Sequence, residues 1–311
     1  MHWLSLVKRD PVPWMLDPVN PSVRVLVLEH LFGRSPQELE AERQAILKWE
    51  PVTTLIRQWN STNYWGRSGD PYYGGPLGTL GTLSLLQQID APIFPEAQQA
   101  CENLLSQGRQ MDGRFAPEGS RSDSWLCYTG IALQALEHFG YGDDLRTQSA
   151  RTLLLDALCG DRQELLICPY NLRYCTWGFS KILGALLKRP AAVRSEREQT
   201  AITTLATLLV NHTFDFARDD AGWLTPNFPR YYESDLIELT RLLAQTPLRN
   251  HARVREFIQR ITGMQSETGQ WRKPRPSPAL QIERPGHPSR WLTFEAVHGF
   301  ILVLGGNTYA T

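Results

Sequence analysis

No stretch of this 311-residue chain approaches the ~18 uninterrupted apolar residues that a membrane-spanning helix needs. No transmembrane segment is therefore expected. The opening residues place Lys8, Arg9, Asp10 and Pro11 where a secretory leader requires its apolar stretch, so export is not expected either. Net charge is absent: 32 basic side chains face 32 acidic ones. That balance gives no electrostatic reason for nucleic acid or an anionic membrane as partner. Gly (23) and Pro (21) are too few for a disordered or collagen-like chain. Cysteines number five, an odd count too low for a secreted disulfide framework. Reduced thiols and a cytoplasmic location are the expectation. No serine nucleophile elbow, phosphate loop, His-Glu-x-x-His helix or Cys-x-x-Cys pair occurs, which removes the commonest hydrolytic, nucleotide and redox readings.

The chain is instead rich in aromatics, with ten Trp, ten Tyr and eleven Phe, and in helical periodicity. Residues 21–32 carry Val23, Leu26, Val27 and Leu31 on one stripe, with Gly33 at the stop. Residues 37–48 run acidic to basic, the order the helix dipole favours. Pro51 opens a further short helix. Residues 1–59 thus read as an N-terminal helical extension, and residues 60–311 as one repeat-built domain.

The repeat is carried by polar, glycine-containing turns that end in an aromatic. Examples are Asn63-Tyr64-Trp65-Gly66, the turn from Gln110 through Gly113 to Phe115, Asp220-Ala221-Gly222-Trp223, and the turn from Gln265 through Gly269 to Trp271. Phe115 follows Trp65 by 50 positions and Trp271 follows Trp223 by 48. Period-of-fifty repeats are the signature of stacked supersecondary units. Apolar helices are expected near 77–89, 124–139, 174–188, 231–245 and 290–304. More amphipathic ones are expected near 95–108, 145–158, 194–212 and 249–263. A helix apolar most of the way round is enclosed, whereas a one-sided stripe covers a core from outside. The pattern predicts an all-α fold of inner and outer helical hairpins, as an open solenoid or a closed ring. A last inner helix with no outer partner after it in the chain favours closure.

These Gln…Gly-x-Trp turns with paired helices resemble those of the terpenoid cyclase and protein prenyltransferase α/α-toroid superfamily, which includes the squalene–hopene cyclases. The likeness spans about residues 58–304, in turn motif and period. The chain also resembles a group of small bacterial toroid proteins with squalene-cyclase-like repeats. The resemblance implies a toroid with a central cavity for an apolar ligand of the isoprenoid kind. It carries no catalytic motif across, because the Asp-x-Asp-Asp and Asp-Asp-x-x-Asp signatures are both missing. Asp219-Asp220 belongs to a turn and Asp143-Asp144 to a helix start.

If each turn precedes an inner helix, then inner-helix starts and outer-helix ends share one rim. Cys127, Cys168, Cys175 and His212 all fall there. Three thiolates and an imidazole form an accepted zinc set when they converge at about 2.0–2.3 Å; small residues in helix contacts and a helix-closing histidine are the plainer alternative. Prenyltransferase β subunits bind zinc on this rim, but their Asp-x-Cys pair is not reproduced, since Trp125 stands two before Cys127. Tyr73, Trp125, Tyr128, Tyr174, Trp177, Tyr232 and Trp291 gather at the same rim as candidate cavity lining, able to bind an apolar ligand or simply to fill the centre. Asp235 is the candidate cavity-facing acid, whose burial would raise its pKa and let it donate a proton. The reading that follows is a terpenoid-cyclase-like toroid binding an apolar molecule, with zinc at its rim. A zinc-stabilised scaffold for a protein partner is the alternative.

Overall fold

The computed structural model describes residues 2–117, 126–160, 162–168, 173–218, 220–276, 280–305 and 309. Its helices are α1 (Val12–Met15), α2 (Pro21–His30), α3 (Glu40–Ile46), α4 (Glu50–Gln58), α5 (Thr79–Gln88), α6 (Pro95–Gln107), α7 (Leu126–His138), α8 (Leu145–Cys159), α9 (Thr176–Lys188), α10 (Glu196–Asn211), α11 (Leu236–Leu243), α12 (Ala252–Gly263) and α13 (Arg290–Leu304). Among the described residues the sheet content is one two-residue antiparallel pair, Ile167–Cys168 with Arg173–Tyr174.

Local chemistry sets the helix starts. Asn20 accepts the Val23 N–H at 3.0 Å, with Pro21 in the first turn of α2, where the missing N–H costs nothing. Ser195 and Glu198 form a reciprocal capping box on α10. The inner helix expected from residue 231 begins only at 236. Asp235 caps it by accepting the Glu238 N–H at 3.0 Å, and its tie to Arg230 folds residues 231–234 back before the helix.

Helices α5, α7, α9, α11 and α13 pack side by side in chain order, each against the next. They are buried almost all round, α9 from Gly178 to Leu187 without interruption. Outside them, α6 packs on α5, α8 on α7, α10 on both α8 and α9, and α12 on α11. The row closes through α2, which packs on α13. At the other end of the row, the Ser22 hydroxyl of α2 donates to the Ile89 carbonyl that ends α5, and Arg43 of α3 joins Glu29 to Asp90. The fold is an all-α toroid. Residues 3–6 and α1 cover the outer side of α13, fastened where Gln265 accepts the Lys8 N–H at 2.7 Å and donates to the Leu6 carbonyl at 2.9 Å.

The aromatic turns act as rivets. The Trp65 indole donates to the Leu55 carbonyl in α4 at 2.8 Å, and the Trp271 indole donates to the Ile261 carbonyl in α12 at 2.8 Å. Each is then tied to the following inner helix by a threonine: Thr79 donates to the Trp65 carbonyl at 2.9 Å, and Thr293 accepts the Trp271 N–H at 3.1 Å. Phe115 repeats the arrangement with Thr129 at 3.0 Å. An outer helix is thereby joined to the next inner one through a buried ring. The turn needs glycine at 269, where φ is +71° and an added Cβ would lie 2.2 Å from the Arg9 carbonyl oxygen.

Candidate functional site

The ring encloses a cavity of about 620 Å³. Its wall takes residues from α2, α3, α5, α7, α9, α11 and α13, those of α2, α5, α7 and α9 lying in the C-terminal halves of these helices. Leu26, Leu187, Leu242, Trp291 and Phe294 supply apolar patches. The rest is strongly polar.

The pairing of its charges decides what the cavity can hold. Glu29 and Asp90 share Arg43. Glu238 takes the Lys181 ammonium at 2.9 and 3.1 Å and the Ser234 hydroxyl. Glu295 takes Arg230 at 2.6 Å, and Arg230 also reaches Asp235 at 2.8 and 3.1 Å. Gln88 clamps the backbone of Arg230 from α5, accepting its N–H at 2.8 Å and donating to its carbonyl at 2.5 Å. Each of the four wall carboxylates thus has a cationic partner, although Glu29 and Asp90 share one guanidinium and Glu295 shares another with Asp235. The Lys181 and Arg230 guard charges hold Glu238 down to about 2 against the burial that opposes ionisation.

Two further cations are less closely engaged. Lys188, the last residue of α9, lines the cavity with an accessible side chain and makes neither hydrogen bond nor ion pair. Enclosure by the surrounding protein lowers its pKa to about 8; Arg241 lowers it further, while Asp90 and Glu137 oppose. Arg241 of α11 comes no nearer than 3.9 Å to Glu295, and its buried Nε has no hydrogen-bond partner. Between these groups lie His30 of α2 and His298 of α13, stacked with centroids 4.5 Å apart and planes 17° apart. Burial pulls the His30 pKa down to about 4 and that of His298 well below its ordinary value, with Arg241 adding to both. Both rings are neutral at pH 7, so Lys188 and Arg241 are the wall cations held least closely by a carboxylate.

The residues expected at the site are distributed differently. Of the aromatic set, Trp291 lines this cavity, stacked at 4.3 Å on Phe228. Tyr128 meets Tyr72 and Tyr231 edge to face at 5.6 and 6.3 Å, and Trp177 meets Tyr232 at 5.9 Å. These rings pack on one another near the inner-helix starts. Tyr73 and Tyr174 are 53% and 50% exposed, too open to enclose an apolar ligand. Trp125 lies outside the described residues. Asp235 is buried but does not face the cavity. Both its oxygens bind Arg230, and it accepts N–H groups from Asn227 and Glu238. Asp235 thus accepts four hydrogen bonds at the start of α11 and holds Arg230 in place.

The thiols come near one another without forming a metal centre. An added Cβ at Gly178 would sit 3.4 Å from the Cys127 Cβ and 3.5 Å from the Cys175 Cβ. The Cys175 sulfur accepts the Gly178 N–H at 3.3 Å and lies 3.3 Å from the Tyr232 hydroxyl. Burial pushes the Cys127 thiol up to about 12, reinforced by Cys175 and Cys168. His212 instead faces Asp220, 3.4 Å away, and packs edge to face on Phe214. Among the described residues no three His, Cys, Asp or Glu groups could hold a metal ion. Of the set Cys127, Cys168, Cys175 and His212, the thiols thus lie near one another while the imidazole faces Asp220. All five cysteines are free.

Lys188, Arg241, His30 and His298 were not anticipated. For Lys188, Arg241 and His298 the signal was a charged or imidazole side chain within or at the end of an inner helix, and for His30 an imidazole at the end of α2.

No family model matches this chain, and no curated protein matches it in sequence. Solved structures similar to it include type II terpene cyclase MstE from Scytonema without ligand, at 13% identity and a TM-score of 0.34, covering 86% of this chain and 98% of that one. A variant of that cyclase in complex with geranylgeranyl dihydroxybenzoate gives 12% identity and 0.33, over 94% and 97%. Another, holding merosterolic acid A, gives 12% and 0.33, over 86% and 97%. Among the described residues no helix is long and apolar enough to cross a membrane.

Proposed function

We propose that this toroid binds a small amphiphile in its central cavity, an anionic head group against Lys188 and Arg241 and an apolar body of the isoprenoid kind against the leucines and aromatic rings of the wall. The observation that carries the reading is the pairing pattern: every wall carboxylate has a buried cationic partner, while Lys188 has none and Arg241 only a loose one. Cations free of a close carboxylate partner and set inside a recess attract anions more strongly than the same charges on an open surface. A neutral hydrocarbon would have to cover both charges without compensating them, which is costly. The ligand class named in the sequence reading is therefore narrowed to one with an ionised end. We place the protein in the cytoplasm, where five free thiols stay reduced.

The test is mass spectrometry of an acidified organic extract of the purified protein. An anionic lipid in near-stoichiometric amount is expected from the wild type, and its loss from the Lys188→Gln, Arg241→Gln double variant. A neutral lipid retained equally by both proteins would overturn the reading.

A further inference from the structure

We infer that Lys188 is a reactive amine, and that the cavity takes compounds bearing a carbonyl beside a carboxylate, the carboxylate held by Arg241 and the carbonyl carbon attacked by the Lys188 nitrogen. The inference rests on the anion-binding reading above and assigns it a covalent step. Basic positions in this chain are overwhelmingly arginine: of 32, only five are lysine. Lys8 pairs with Glu267, and Lys48 is exposed on the surface. Lys181 is bound into the Glu238 pair, and Lys273 is fully enclosed. Lys188 is the one that is both accessible from the cavity and unpartnered.

Arginine in its place would keep the charge but could never lose the proton, whereas a lysine enclosed by protein can. Arg241, within electrostatic reach, favours loss of the proton. The neighbouring imidazoles are neutral and compete for no carboxylate. Nothing oxidising or reducing is needed. The free amine's electron pair forms a C–N bond, the carbonyl pair moves onto oxygen, and that oxygen takes up protons from solvent. The carbinolamine then loses its hydroxyl as water as the nitrogen pair forms the C=N bond; amine plus carbonyl yield imine plus water, with the ammonium proton released to solvent.

At pH 8 an amine with a pKa near 8 is about half free, against about 0.4% for an ordinary lysine near 10.4. The lower basicity costs some nucleophilicity, so labelling about tenfold faster than at a surface lysine is expected. The experiment incubates the full chain with glyoxylate and cyanoborohydride, then quantifies carboxymethylated peptides by mass spectrometry. Expected is a Lys188 adduct forming about tenfold faster than adducts at Lys8 and Lys48, and slowed about fivefold in Arg241→Gln while the surface lysines are unchanged. Lys188→Arg should remove that adduct and leave the helical circular dichroism intact. Labelling of Lys188 no faster than of Lys8 and Lys48, or unaffected by Arg241→Gln, would overturn the inference. Reversible oxalate binding that depends on Lys188 and Arg241, without Lys188 labelling, would sink the imine and spare the anion reading. Neither binding nor labelling would sink both.

Discussion

His30 and His298, 268 positions apart in the chain, lie ring on ring across the seam where α2 closes on α13. The surrounding protein and neighbouring cations oppose their protonation, which makes the fold acid-sensitive. Both have folded pKa values below the ordinary 6.5, His30 near 4 and His298 shifted well down in the same direction. The unfolded chain therefore binds more protons wherever pH falls below 6.5, and stability declines from there toward pH 4. His298, the less exposed of the two, can steepen the decline by up to about 1.4 kcal/mol per pH unit. Urea unfolding at pH 7, 6 and 5 should show this slope, and His298→Phe, which keeps a flat ring in the stack, should make it shallower. An unchanged slope would mean that the pair does not titrate on unfolding.

Arg230 is the next point of strain. It is almost fully buried and serves Asp235 and Glu295 together. Arg230→Met would strand both carboxylates in the interior, at a cost of about 3–5 kcal/mol. Double replacement of Lys181 and Glu238 by Met and Leu removes a buried pair as a unit, and should cost much less than Lys181→Met alone. Chemical denaturation of these variants provides the comparison; equal losses for single and double variants would contradict it.

The rivets make a more local prediction. Trp271→Phe keeps most of the buried ring but leaves the Ile261 carbonyl without its indole donor. A loss of about 1–3 kcal/mol is expected. Trp65→Phe should lose a similar amount, because its indole meets the Leu55 carbonyl in the same way. Thermal or urea unfolding of the two variants measures this, and losses differing by several-fold would show that the two turns are not equivalent.

The fold could be read in the chain because each of its parts is local. A turn that ends in an aromatic, an apolar helix and an amphipathic helix recur at a period near fifty, and the inner and outer helices lie close to where periodicity puts them. The start of α11 moved because a side-chain pair, Arg230 with Asp235, redirected the backbone, and no propensity registers such a contact. The cavity was hidden for the opposite reason: nothing about it is local. Lys188 at the end of α9 looks like an ordinary basic residue completing a helix dipole. Only the ring brings it together with Arg241 and His30. Attention to the inner-helix starts, where aromatics and cysteines gather, led away from the polar end. Placement on one rim could not reveal that His212 would turn to Asp220. The cover that residues 3–6 and α1 give to α13 likewise depends on contacts between the two ends of the chain, which no motif announces.

The central claim is that the polar cavity binds an anion through Lys188 and Arg241, and calorimetric titration tests it most directly. The probes are a prenyl carboxylate and the prenyl alcohol of equal length, against the wild type and the Lys188→Gln, Arg241→Gln double variant. The account predicts that the carboxylate binds the wild type about tenfold or more tighter than the alcohol. It also predicts that the advantage shrinks as pH rises through 8 and the Lys188 charge is lost, and that the double variant abolishes it. Equal affinity for acid and alcohol, or an advantage that survives in the double variant, would contradict it.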